Sequence, residues 1–263
     1  IEDCAQAPFA KLNGKFAGTL GDIGIFSLNY HKHIHCGEGG ILVTNDDELA
    51  NKLRLIRNHA EAVIEAKGDK NLTNMFGFNF RMTEIECAIA NEQLDKLENL
   101  VIQRRENIKY LEDNLKDLPF LTMTKVRNGA EHAYYQHAFL YNEKIAGIHR
   151  NIFVNAVCAE LMPIELRETE GIKVGCGYVK PLYLAPMFQN KIAYGSKGFP
   201  WNYAEKENNR IYNYSKGICP VVEDLHYNKL IAHEYMRPGM TQEDLDDVIK
   251  AFVKVSENIE ELK

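Results

Sequence analysis

Two rhythms of apolar residues run along the chain. From Asp22 to Asn29 the run Asp-Ile-Gly-Ile-Phe-Ser-Leu-Asn is apolar on both alternations, the pattern of a strand covered on both faces in an α/β sheet. Gly40-Ile41-Leu42-Val43-Thr44 reads as a second strand. Asn45 or Asp46 then caps a helix in which Leu49, Leu53 and Ile56 recur at helical spacing, and that helix is expected to end near His59. After a polar stretch holding Lys67-Gly68-Asp69-Lys70, Thr83 and Glu86 stand at the spacing of a capping box, in which each side chain satisfies the other's backbone N–H. Ile85, Ile89, Leu94, Leu97, Val101, Ile108, Leu111 and Leu115 continue one apolar stripe. The stripe predicts a long helix, bent or broken near Asn99, that leaves a first lobe.

Beyond Pro119 the pattern shortens. Tyr134 to Tyr141 reads as a strand, and Gly171, Gly175, Gly177, Pro181 and Pro186 punctuate a long loop region. Thr241 caps a closing amphipathic helix with Leu245, Val248, Ile249, Phe252, Val255, Ile259 and Leu262 on one face. The reading is two unequal lobes, residues 1–118 as an α/β lobe and 119–263 as a small α+β lobe. No internal repeat or low-complexity segment interrupts them.

Composition narrows the function classes. With 31 basic against 37 acidic side chains the net charge is -6, so no global positive field draws the protein to nucleic acid or an anionic membrane, and a small-molecule partner is the default. The six cysteines form no CxxC pair, which signals neither a zinc knuckle nor a disulfide scaffold. No run approaches the roughly 18 to 20 apolar residues of a membrane span and no basic-then-apolar leader opens the chain, so a cytoplasmic protein is expected. Ile1-Glu2-Asp3 resembles the end of a strand more than a natural start; a further segment is expected upstream.

The densest chemistry lies between the first two predicted strands, in Ser27-Leu28-Asn29-Tyr30-His31-Lys32-His33-Ile34-His35-Cys36-Gly37-Glu38-Gly39-Gly40. Loops at strand ends are where α/β folds carry their sites. A single lysine stands there among weak bases and small residues. Desolvation or nearby positive charge turns lysine into a nucleophile toward carbonyls, able to hold an aldehyde cofactor as an imine. Pyridoxal phosphate needs such a lysine, an acid against its ring nitrogen and donors for its phosphate. Asp3, at a strand-like end before small residues, suits the acid, and Ser27 suits the phosphate. Taken singly, Lys32 is an ordinary solvated loop lysine, Asp3 a strand-end cap, and Gly37-Glu38-Gly39-Gly40 a tight turn needing positive φ. That turn lacks the Lys-Ser/Thr of a nucleotide phosphate loop.

Together, Glu2-Asp3-Cys4-Ala5-Gln6-Ala7, Gly21-Asp22-Ile23-Gly24-Ile25-Phe26-Ser27 through Lys32 to Gly37-Glu38-Gly39-Gly40, and Asn79-Phe80-Arg81-Met82-Thr83-Glu84 with Gln93-Leu94 resemble the pyridoxal-phosphate sugar aminotransferases of the DegT/DnrJ/EryC1/StrS family. The match is collinear to about residue 115 and looser afterwards, through Gly177-Tyr178-Val179-Lys180-Pro181-Leu182-Tyr183. The resemblance implies the type I transferase fold, like that of aspartate aminotransferase, with a partial large domain and a small α+β domain. It implies that Lys32 forms the imine, Asp3 meets the pyridine nitrogen, Gln6 lies beside the ring and Ser27 touches the phosphate. It further implies a homodimer with shared sites, in which Asn79 reaches the neighbouring subunit's cofactor phosphate and Arg81 meets an anionic part of the substrate. The implied reaction passes an amino group from glutamate or glutamine to a keto-deoxysugar linked to a nucleotide, in cell-surface polysaccharide or secondary-metabolite synthesis. Two departures stand out: Asn29, where many relatives carry histidine, and the part of the large domain that precedes the Glu-Asp pair in the family.

Two other readings compete. Sugar dehydratases of the same family carry histidine at the lysine position, which Lys32 argues against. A zinc-binding module would use His31, His33 and His35, which share a face if the segment is extended, with Glu38 or Cys36 as a further ligand.

Overall fold

The computed structural model describes residues 1–60, 75–162 and 174–263; Lys67-Gly68-Asp69-Lys70 and Gly171 lie outside the described residues. Two compact units emerge. One holds Ile1–Ile108, Lys125–Tyr135 and Met236–Gly239, the other Lys109–Thr124, Gln136–Tyr235 and Met240–Lys263.

In chain order the elements are β1 (Glu2–Asp3), β2 (Lys11–Leu12), β3 (Lys15–Phe16), β4 (Gly24–Ser27), β5 (Gly40–Val43), α1 (Asp47–Arg57), α2 (Glu84–Leu94) and α3 (Leu97–Leu115). There follow β6 (Leu121–Met123), β7 (Ala130–Glu131), β8 (His137–Tyr141), α4 (Glu143–Ala146), α5 (Arg150–Glu160) and β9 (Val174–Cys176). The chain closes through α6 (Pro186–Gln189), α7 (Trp201–Asn208), α8 (Pro220–Asp224), β10 (Leu230–His233) and α9 (Gln242–Glu257).

In the first unit β4 is central, parallel to β1 and antiparallel to β5, with Asp3 beside Ile25 and Ser27 beside Gly40. Gly24 lets β4 pass close to a turn, because a Cβ there would sit 2.2 Å from the Gly18 carbonyl oxygen. A covering on both faces was expected for this sheet. Among the described residues β4 is half-buried beyond Gly24, and β5 alternates exposed and half-buried with Leu42 exposed. The apolar pattern therefore exceeds what this unit itself covers. Asp46 caps α1, accepting the Leu49 N–H, and Thr83 and Glu86 close the capping box of α2. The long stripe breaks earlier than Asn99. Its turn tightens at Asp95 and Lys96, where Lys96 N–H bonds the Gln93 carbonyl, before α3 begins. Val101 and Leu97 then pack with Leu28, Ile34 and Ala133.

In the second unit β8 and β10 form the middle of an antiparallel sheet, β6-β8-β10-β9. Phe139, Phe153, Ile231, Leu111 and Phe252, from four elements and the end of α3, are at most 1% exposed. Each such side chain contributes about 1.5 to 3 kcal/mol by leaving water. α9 carries the predicted capping box, Thr241 with Asp244. The strand expected from Tyr134 starts only at His137, since Tyr134 takes a positive φ of 51° and its carbonyl is held by Arg104 instead.

Candidate active site

The parallel pair β1 and β4 frames the candidate site. Both strands end at the same edge: Cys4 N–H bonds the Ile25 carbonyl at 2.8 Å, which puts Asp3 and Ser27 at the carboxyl ends of neighbouring strands. Crevices at such ends are where open α/β sheets take ligands. Asp3 Oδ1 accepts the Ala5 N–H at 3.1 Å, fixing the carboxylate at the strand end, and Gln6 is exposed in the turn that follows. Ser27 Oγ accepts the Asn29 N–H at 3.2 Å, which leaves the hydroxyl proton to donate elsewhere.

Lys32 follows in a loop that closes on itself. Leu28 N–H bonds the Gly39 carbonyl at 2.9 Å and Cys36 N–H the Leu28 carbonyl at 3.2 Å. Gly37 supports the closure with a φ of +97°, as the Gly-Glu-Gly-Gly reading required. Lys32 is half-buried, its N–H bonds the Asn29 carbonyl at 2.9 Å, and its Nζ lies 4.8 Å from the centre of the Tyr135 ring. Asn29 thus orders the loop locally, its Nδ2 also donating to Glu38 Oε1 at 2.7 Å.

The three histidines do not share a face. The segment turns rather than extends, so His33 is 7% exposed while His31 and His35 face solvent. His33 Nε2 bonds the Ala133 carbonyl at 2.9 Å. Among the described residues no group of three His, Cys, Asp or Glu is placed to hold a metal ion, and the zinc reading loses its geometry.

Asn79 and Arg81 belong to a second feature of the same unit. Phe78 N–H and Phe80 N–H bond the Ile56 and Arg57 carbonyls at 2.7 and 3.0 Å, zipping this segment onto the end of α1. Asn79 bridges to Asn58, and Arg81 Nη1 donates to Asn58 Oδ1 at 3.0 Å. Both residues are exposed, as are Phe76, Phe78, Phe80, Ile85, Ile89 and Leu94 around them. Tyr135, Arg104 and the anchoring of His33 were not among the features expected from the sequence. A buried histidine and an aromatic about a hundred residues downstream give no local signal.

Residues 1–208 match the model of the DegT/DnrJ/EryC1/StrS aminotransferase family, and the chain belongs to that family. A putative L-glutamine:3-amino-2,3-dideoxy-scyllo-inosose aminotransferase of Micromonospora echinospora is 28% identical across 100% of this chain and 59% of its own length. GDP-perosamine synthase of Caulobacter vibrioides is 40% identical over 45% of this chain and 31% of its own. Among solved structures, the aminotransferase from Psychrobacter cryohalolentis superposes with a TM-score of 0.73 at 21% identity, over 98% of this chain and 62% of that one. The fold is accordingly the type I transferase fold with a partial large domain. The chain spans about 60% of the length of the curated relatives it matches over nearly its whole extent. Among the described residues no helix is long and apolar enough to cross a membrane.

Proposed function

We propose that this protein is a pyridoxal 5′-phosphate-dependent aminotransferase that passes an amino group from glutamate or glutamine to a keto group on a nucleotide-linked deoxysugar. One observation carries the reading: a carboxylate, Asp3, and a hydroxyl, Ser27, end adjacent parallel strands, and the loop leaving the second strand presents Lys32. That donor set, an acid, an amine and a hydroxyl at one sheet edge, fits the needs of the cofactor. The activities of these relatives support a sugar as acceptor.

In this reading Lys32 holds the cofactor, Asp3 meets its ring nitrogen, Gln6 lies along the ring, and Ser27 donates to the phosphate together with Asn79 of a second subunit. When bound, the cofactor supplies an aldehyde for the amino group and a ring that withdraws electrons from the donor's α-carbon. Asp3, as a carboxylate, holds positive charge on the ring nitrogen and so sustains that withdrawal. Lys32 Nζ takes the proton from the donor's α-carbon and returns a proton later, serving as base and then acid. Arg81 is suited to an anionic group of the sugar nucleotide, since its planar guanidinium matches phosphate oxygens. The exposed apolar side chains around Asn79 support a homodimer that covers them.

Borohydride reduction of the loaded protein followed by peptide mapping tests the assignment. The pyridoxyl group is expected on Lys32, and Lys32→Ala is expected to abolish turnover; a label on another lysine overturns the site.

A further inference from the structure

Two buried side chains, His33 next to Lys32 and Arg104 on α3, have no part in the chemistry above. His33 is 7% exposed; its Nε2 lies 2.9 Å from the Ala133 carbonyl oxygen, and its Nδ1 has no hydrogen-bond partner. A carbonyl only accepts, so Nε2 carries the ring proton. Burial, reinforced by the nearby Arg104 charge, pushes His33 down to about 4, and the ring is neutral at the pH where the protein works. Arg104, 8% exposed on α3, donates from Nη1 to the Tyr134 carbonyl at 2.9 Å. Ala133 and Tyr134 are therefore pinned from two directions by side chains remote in sequence. The next residue is Tyr135, whose ring faces Lys32 Nζ.

The pairing has a mechanical consequence. His33 and Lys32 share a peptide unit, so the bond from His33 to Ala133, across 100 residues of sequence, fixes the Lys32 backbone relative to the Tyr135 ring. A lysine ammonium within about 6 Å of an aromatic face is attracted by the ring's quadrupole, and the flexible four-carbon stem of a lysine gains from any such fixed resting place. A transferring lysine has to leave its bond and re-form it in every cycle. A defined position for the released amine shortens the search for that return.

We propose that Tyr135 is the resting platform for the free Lys32 amine and that His33 is a positioning residue that holds the platform and the lysine in register. The inference rests on the reading of Lys32 as the cofactor-bearing lysine and adds two residues to it. Lys32 belongs to the catalytic chemistry; Tyr135 and His33 act through it.

The test measures Lys32 itself. The full-length protein, with cofactor removed, is treated at neutral pH with trace acetic anhydride, and acetylation of each lysine is followed by peptide mass mapping, with Lys15 and Lys125 as internal references. An ammonium resting on a ring face is protected from acylation. Tyr135→Leu is expected to raise the relative rate at Lys32 about threefold or more, while Tyr135→Phe, which keeps the ring, leaves it within about a factor of 1.5. His33→Leu should reproduce the Leu result at Tyr135. His33→Gln, whose amide N–H can reach the Ala133 carbonyl, should restore the wild-type rate. A purely structural role for His33 would slow or speed all lysines together and would not be rescued at Lys32 alone. Unchanged Lys32 reactivity in Tyr135→Leu overturns the platform. If His33→Leu fails to fold, seen as a general rise at the reference lysines, the Tyr135 pair decides the proposal alone. Failure of borohydride to label Lys32 in the wild-type protein overturns the functional reading instead, so the two failures are separable.

Discussion

Glu2 and Asp3 are adjacent acids on β1 with different contacts. Glu2 accepts N–H groups from Gly18, Leu20 and Gly21 at 2.9, 2.7 and 2.6 Å, and these backbone bonds hold its carboxyl below the usual carboxylate range. The folded state prefers the ionised form, so this stabilisation is present above the unfolded value of about 4.3 and is lost as pH falls below that value and through the lower folded one. Asp3 makes one local bond, accepting the Ala5 N–H, and is exposed at the strand end. Substituting each acid by its amide separates the roles. Glu2→Gln is expected to speed amide exchange at Gly18, Leu20 and Gly21 while leaving turnover near wild type. Asp3→Asn is expected to keep the cofactor bound yet lower turnover by about 10² or more, because an amide cannot sustain a positive ring nitrogen. Near wild-type turnover in Asp3→Asn would falsify its role. The place of Asp3 at a strand end was legible in the sequence because its cue is local, an acid after a strand-like start and before small residues. The loop bound by Glu2 was not, since its amides arrive from 16 to 19 residues away.

At the scale of elements the same division between local and remote cues recurs. Thr83 and Thr241 announce α2 and α9 because a capping box is written within four residues. Arg150 announces nothing. A cation in the first turn of α5 opposes the helix dipole, yet it is 2% exposed and donates to the carbonyls of His226, Leu230 and Tyr227 at 2.9, 2.8 and 2.8 Å. It thereby braces the π-helical turn Leu225–Lys229 before β10. Arg150→Leu leaves those carbonyls without their donor, and a loss on the order of 3 kcal/mol in urea unfolding is expected; Arg150→Lys, lacking the planar fork, should recover less than half of it. β8 and β10 are joined by a second buried device. Tyr235 N–H donates to His233 Nδ1 at 3.2 Å, so His233 carries its proton on Nε2 and gives it to His137 Nδ1 at 2.8 Å. His137 Nε2 then faces Glu112 Oε1 at 2.9 Å. Burial, and then the neighbouring His137, hold His233 well below the usual histidine range. The unfolded chain binds a proton near pH 6.5 that the folded one refuses, so stability is full above that pH and declines as pH falls below it. Trp201, the single tryptophan, lies in this unit and reports its unfolding by fluorescence. His233→Gln should flatten the decline between about pH 6.5 and 5; an unchanged slope would show that other groups cause it.

For the whole molecule, the apolar excess of the sequence is itself informative. β5 leaves Leu42 51% exposed, and Ile85, Ile89 and Leu94 on α2 are 75%, 44% and 52% exposed beside Phe78 and Phe80. Periodicity identified those positions as inward-facing, but it carries no information on which surface covers them, and within the described residues nothing does. In the proposed homodimer a second copy of the chain covers them, and Asn79, which stands among these residues, is the side chain proposed for the neighbour's cofactor phosphate. An isologous interface of this kind gives two equivalent sites per dimer. Subunit exchange between two inactive full-length variants, Lys32→Ala and Asn79→Ala, reads the arrangement directly. With shared sites, a heterodimer has one site with both defects and one with neither, so about half of randomly paired dimers regain one working site. If Asn79 serves its own subunit, every heterodimer site keeps one defect and mixing restores no activity. Native mass spectrometry of the mixture establishes that exchange has occurred. Silence after proven exchange would return Asn79 to the role its contacts already describe, a strand-like bridge to Asn58 ahead of the capped helix at Thr83.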